Sequence, residues 1–253
     1  MSTHELDGKV AIVTGAGQGV GRGIALALAA DGARVVVAEL NPESGDETAE
    51  LIRERGGEAI SVVTDVQDLA SIEACVARAV HAFGGLHIVV NNAMASAVDT
   101  PLQDTTDEQF QRALTVGVIA THRFMRAAYP HLRGDGRVIN LRSGAEISGQ
   151  RGMAAYVASK AAIAGLTRVA AKEWGAEGIT VNAIMPLSFG PSAQQWFDEN
   201  PDVAQSVLAG QAIGRSGDAE TDIGSVVAFL ASPCASFVTG VTINVDGGGA
   251  LLS

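Results

Sequence analysis

Seven short runs of apolar, largely β-branched residues recur along the chain: "KVAIVT", "ARVVVA", "EAISVVT", "LHIVV", "GRVINL", "ITVNAI" and "VTINV". Each is continuously apolar, not alternating, which is the pattern of strands covered on both faces in a parallel sheet. Longer stretches with helical spacing separate them, among them residues 20–31, 69–83 and 107–129. In "TTDEQF", Thr105 with Glu108 three residues on predicts a capping box that opens the last of these. Strand and helix alternating in this way predict an α/β fold. It is one doubly wound domain over residues 1–253, with a parallel sheet of about seven strands and helices on both faces. The rhythm breaks once, between 186 and 215, where roughly thirty residues separate the sixth strand from the next helix; connections of that length are usually functional.

Composition narrows the function classes. Apolar residues make up 47% of the chain and charged ones 18%, enough for a sizeable core. The net charge of −11 argues against nucleic-acid or anionic-membrane partners, so an anionic ligand must be held by local dipoles. Cys75 and Cys234 stand far apart without metal spacing, and the five histidines form no ligand cluster. No apolar run is long enough to span a membrane. The expectation is a soluble, cytoplasmic, metal-free protein.

The first strand runs into "VTGAGQGVGRGIA". Gly15, Gly19 and Gly21 permit a tight turn, close approach to a pyrophosphate and packing of the following helix. That helix, entered through Gln18 and Val20, offers free N–H groups and a partial positive charge to phosphates. Glu39 ends the second strand, 18 residues past Gly21. A carboxylate there can accept ribose hydroxyls and would repel a 2′-phosphate. Neither Gln18 nor Leu40 is basic, so the pattern favours NAD(H) over NADP(H).

"AAYVASKAA" places Tyr156 four residues before Lys160 in a chain with two tyrosines and three lysines. Spacing alone does not single it out, because Tyr129 has Arg133 four residues on. Only a family resemblance carried by the rest of the chain tells them apart: it implies a serine thirteen residues before the working tyrosine, where Ser143 stands for Tyr156 and Tyr129 has none. Hydride transfer between an alcohol and nicotinamide needs a group to trade the hydroxyl proton. A phenol with a pKa near ~10 must come down about three units, roughly 4 kcal/mol, to serve at neutral pH. A lysine one helical turn away, with oxidised nicotinamide, has charge of the right sign. Ser143 can hydrogen-bond the substrate oxygen as charge develops.

"TGAGQGVG", Asp65–Val66, "NNA" at 91–93, Ser143, "YVASK", "VNAIMP" and "FVTGVTINVDGG" occur in order over nearly the whole length. With these the chain resembles the short-chain dehydrogenase/reductase family. The resemblance implies a catalytic Ser143, Tyr156 and Lys160, with Lys160 also holding the nicotinamide ribose. It places Asp65 and Val66 beside adenine, Asn91 and Ala93 along the cofactor, and Phe189 near it. It implies a homotetramer.

Four positions depart from the family pattern. Gly117 stands where an asparagine completes a catalytic tetrad; glycine keeps the backbone carbonyl and permits a kink. On this reading a proton relay survives without the amide, and Gly117→Asn changes the rate only modestly. Met94, Leu187 and Pro191 replace a glycine, a glycine and a threonine at the reacting end of the cofactor, with Ser188 or Ser192 as substitutes for the hydroxyl. His87, in place of an aspartate, reads as structural. The leading function is NAD(H)-dependent interconversion of a secondary alcohol and a ketone. Phe189, Trp196, Phe197, Met94 and Met153 suggest an apolar small-molecule substrate. A 3-oxoacyl-thioester reductase and a cofactor-binding protein with little catalysis are the alternatives.

Overall fold

A computed structural model of the chain describes residues 5–97, 99–190, 199–202 and 208–250. All seven apolar runs form strands. They are β1 (Val10–Thr14), β2 (Arg34–Glu39), β3 (Ala59–Val63), β4 (Ile88–Asn91), β5 (Arg137–Leu141), β6 (Thr180–Pro186) and β7 (Thr242–Val245). They pair in parallel in the order β3-β2-β1-β4-β5-β6-β7. The order reverses between β1 and β4, which opens a crevice beyond the carboxyl ends of those strands.

Strand alternation feeds two cores. Ala11 and Val13 of β1 pack with Ile24 and Leu28 of α1 (Gly19–Ala30), on the face that also receives Val227 and Leu230. Val10 and Ile12 point the other way, toward Ile72 and Val76 of α3 (Leu69–Phe83) and Phe124. Helix α2 (Pro42–Glu54) crosses between β2 and β3, with Asn41 capping its first turn through Glu43 N–H. Continuous apolarity has the cause anticipated for it in the five inner strands, which are covered on both sides; the edge strands β3 and β7 are only partly buried.

Two local expectations are corrected. The capping box belongs to Thr106 and Gln109, one residue later than expected: Gln109 N–H donates to Thr106 Oγ1 at 3.2 Å, and Thr106 N–H to Gln109 Oε1 at 3.0 Å. Thr105 is spent on the preceding turn, its hydroxyl donating to Pro101 O. The helix expected over 107–129 is two helices, α4 (Asp107–Leu114) and α5 (Ala120–Leu132), joined by a wider π-helical turn at Thr115–Ile119. Gly117 occupies the middle of that turn, and such turns often mark functional positions. His87 accepts Val10 N–H at Nδ1, 3.1 Å away, a structural tie between β1 and the entry to β4. Among the described residues, no helix is long and apolar enough to cross a membrane.

Candidate active site

The glycine turn is held by its surroundings as much as by its glycines. Gly15 and Gly19 have φ of +62° and +55°, the left-handed region that favours glycine. A β-carbon on Gly21 would overlap the carbonyl oxygen of Gly15. Asn92 locks the same spot, its amide donating to Thr14 O at 2.8 Å and Gly15 O at 3.0 Å. Gly17 N–H donates to Glu39 Oε2 at 3.0 Å, and any side chain on Gly17 would press into Glu39 and Ser44.

Beside this turn lies a cleft of about 370 Å³ at the reversal of strand order. Gly15, Gln18, Glu39, Leu40, Asp65, Val66 and Ala93 all line it. Glu39 Oε1 accepts Leu40 N–H at 2.9 Å and Asn41 N–H at 3.2 Å. With Gly17 that makes three of the roughly four acceptor positions of a carboxylate, leaving one for a ribose hydroxyl. The turn, the helix start at Gly19–Val20 and this carboxylate fit the pyrophosphate and ribose of a dinucleotide. Asn91 is differently disposed. It is buried, and its amide donates to Asn140 Oδ1 at 2.8 Å inside the sheet; Asn92 and Met94 line the cleft instead. Phe189 N–H donates to Ser216 Oγ, and a β-carbon added to the adjacent Gly190 would lie 3.9 Å from Gly19 Cα. Pro191, Ser192, Trp196 and Phe197 lie outside the described residues.

Ser143, Tyr156 and Lys160 are brought together by two elements. Ser143 stands two residues past the end of β5 and two before a short helical turn, α6 (Ala145–Ser148). Helix α7 (Ala154–Trp174) carries Tyr156 and Lys160 past it. Lys160 is 4% exposed; its ammonium donates to Leu141 O, the last carbonyl of β5, at 2.7 Å. That nitrogen stands 5.8 Å from the centre of the Tyr156 ring.

Burial raises the Tyr156 pKa, Ser143 opposes this by hydrogen-bonding the phenolate form, and Glu146 adds to the rise. Burial also pushes Lys160 down to about 8, against the pull of Glu146. A lysine so shifted is a weaker source of positive charge at neutral pH than an exposed one. The trio can hold and pass a proton, but a further positive charge is needed to draw it from the phenol.

Gly117 is explained by Ser159. A β-carbon at 117 would overlap the Ser159 hydroxyl and lie 3.1 Å from Met94 Sδ. Ser159 is fully buried, and its oxygen accepts Val118 N–H at 3.2 Å inside the π-helical turn. The two departures at 94 and 117 are thus complementary: the thioether reaches the space that a side chain at 117 would need. The modest effect expected of Gly117→Asn does not fit this packing. Sequence spacing gave no sign of the contact, because Met94 and Gly117 meet only through the fold.

Comparison with known proteins agrees with this architecture. A family model described as Enoyl-(Acyl carrier protein) reductase matches residues 15–249. A 12alpha-hydroxysteroid dehydrogenase of Clostridium sp. is 37% identical over 250 residues, covering 96% of each chain. A versicolorin reductase of Emericella nidulans is 36% identical, covering 97% of each. Among solved structures, a 7α-hydroxysteroid dehydrogenase complexed with NADH and 7-oxo glycochenodeoxycholic acid superposes with a TM-score of 0.92. It is 32% identical, with coverage of 98% of this chain and 97% of that one. The chain belongs to the short-chain dehydrogenase/reductase family, Rossmann-fold oxidoreductases that act on hydroxyl and carbonyl groups.

Proposed function

We propose that the protein is an NAD(H)-dependent dehydrogenase that interconverts an apolar secondary alcohol and its ketone, with Tyr156 as the proton-exchanging group. The observation that carries this reading is the meeting of Ser143, Tyr156 and Lys160 beyond the carboxyl end of β5, in a fold whose cleft at the β1–β4 reversal, lined by Met94 among others, fits a dinucleotide. Gly15, Gly19, Gly21 and Glu39 would hold the cofactor, and bound nicotinamide would supply or accept the hydride. In oxidation Tyr156 would take the hydroxyl proton as the carbinol carbon gives up its hydride, and in reduction it would return a proton to the carbonyl oxygen as that carbon gains one. Ser143 steadies the substrate oxygen as its charge changes. Lys160, anchored by Leu141 O, holds positive charge near the phenol. Hydroxysteroid dehydrogenases among the relatives support a bulky apolar alcohol as the substrate class.

Preference for NAD(H) rests on Glu39. Charge-assisted hydrogen bonds to ribose hydroxyls contribute about 1.5–3 kcal/mol, or roughly 10–100-fold in affinity. Initial rates with a panel of hydrophobic secondary alcohols should favour NAD over NADP by at least about tenfold, and Glu39→Ala should erase most of that margin. Equal rates with the two cofactors in the unaltered protein would refute the preference. NADH binding without turnover on any alcohol or ketone would favour the cofactor-binding alternative.

A further inference from the structure

Arg142 and Glu146 flank Ser143 and are not used by the chemistry above. Arg142 Nε donates to Glu146 Oε1 at 3.0 Å, and Nη2 bonds the same oxygen. Its Nη1 donates to Thr242 Oγ1 on β7 at 2.5 Å. Both side chains are withdrawn from solvent, Arg142 at 10% exposure and Glu146 at 3%. The second carboxylate oxygen, Glu146 Oε2, is buried with no hydrogen-bond partner. Between these residues the backbone is tightly tied. Arg142 N–H extends the sheet by donating to Ile184 O, Glu146 N–H donates to Ser143 O, and Ala145 N–H donates to Ser143 Oγ.

A buried ion pair is a poor stabilising device, because desolvation offsets the attraction, and an unpartnered buried oxygen makes it worse. An apolar pair would serve packing at least as well. Yet the pair brackets the one serine placed beside Tyr156, with its unpaired oxygen on the buried side. We propose that Glu146, gripped by Arg142, is a positioning residue: it fixes the turn that presents Ser143 and sets a negative charge facing Tyr156 and Lys160. This rests on the reading of Tyr156 as the proton-exchanging group.

The consequence has a definite sign. Glu146 favours the protonated forms of both Tyr156 and Lys160. It therefore offsets part of the burial that would discharge the lysine, and holds a proton on the phenol ready for delivery to a carbonyl. Among the described residues, the charged or titratable groups facing it are Arg142 on its own loop and Tyr156 and Lys160 from α7. From β7 comes the neutral Thr242, which accepts from Arg142 Nη1. Asp246, beyond β7, is spent on the N–H groups of Gly248 and Ala250.

The test is the pH–rate profile in both directions for Glu146→Gln, with NADH affinity measured alongside. The expected result is that the rise of alcohol oxidation with pH moves about one unit lower, the size of effect one neighbouring charge commonly has. Carbonyl reduction should fall off correspondingly earlier, with NADH binding unchanged. A second variant guards against misfolding: Glu146→Met replaces the carboxylate at similar volume, and the same downward shift is expected. A profile that superposes on that of the unaltered protein in either variant that folds would overturn the proposal, even if thermal stability changed. Tyr156→Phe, run in parallel, separates the two claims. Retained turnover there defeats the role of Tyr156, whereas an inactive Tyr156→Phe with unmoved Glu146→Gln profiles defeats only the role of Glu146.

Discussion

Tyr156→Phe is expected to reduce turnover by a factor of about 10²–10⁴, the usual contribution of a positioned acid–base group, while NADH binds as in the unaltered protein. The ring is packed in place and phenylalanine keeps its shape, so the loss should fall on kcat and not on folding. Among the described residues, the neighbouring groups are committed elsewhere or unsuited to take over. Lys160 is committed to Leu141 O, Ser143 is too weak an acid to exchange protons alone, and Tyr129 is spent elsewhere, its hydroxyl donating to Glu177 Oε1. Turnover in Tyr156→Phe within a few-fold of the unaltered protein, at equal cofactor occupancy, would contradict this assignment.

Gly117→Asn should be costly, and the cost should be structural first. The new β-carbon displaces the Ser159 hydroxyl, which leaves Val118 N–H without its acceptor inside the helix, and it crowds Met94 Sδ. Overpacking of this kind costs about 1–3 kcal/mol and the lost hydrogen bond about 1 more. For a chain of this size that lowers Tm by roughly 5–10 °C, with activity falling because Ser159 adjoins Lys160. Met94→Gly added to Gly117→Asn should recover a good part of the loss, since it vacates the space the amide needs. Additive effects of the two substitutions, measured by thermal unfolding, would show that the two positions do not share that space.

The strands, their parallel pairing and the position of the glycine turn could be read from the sequence, because a doubly covered strand imposes continuous apolarity and a tight turn imposes glycine. Ser143, Tyr156 and Lys160 could be picked out for a similar reason: a helix fixes the spacing of Tyr156 and Lys160. What escaped was non-local. The division of the 107–129 helix by a π turn depends on Ser159, forty-one positions after Val118. The buried orientation of Asn91 depends on Asn140 across the sheet. The ion pair of Arg142 and Glu146 reads in sequence as an ordinary solvated i, i+4 pair, and only the closure of β7 over it removes it from water. The burial of Tyr156, which opposes its ionisation, is likewise not written in spacing.

Tyr156 is expected to hold its proton in the free protein and to yield it only when the cleft carries an added positive charge. Phenolate absorbance followed across pH, as the difference between the unaltered protein and Tyr156→Phe, isolates this group from Tyr129. The expected midpoint lies above the ordinary tyrosine value without cofactor and moves down by more than about one unit when NAD+ is added and not when NADH is added. A midpoint that is the same in all three conditions would contradict it.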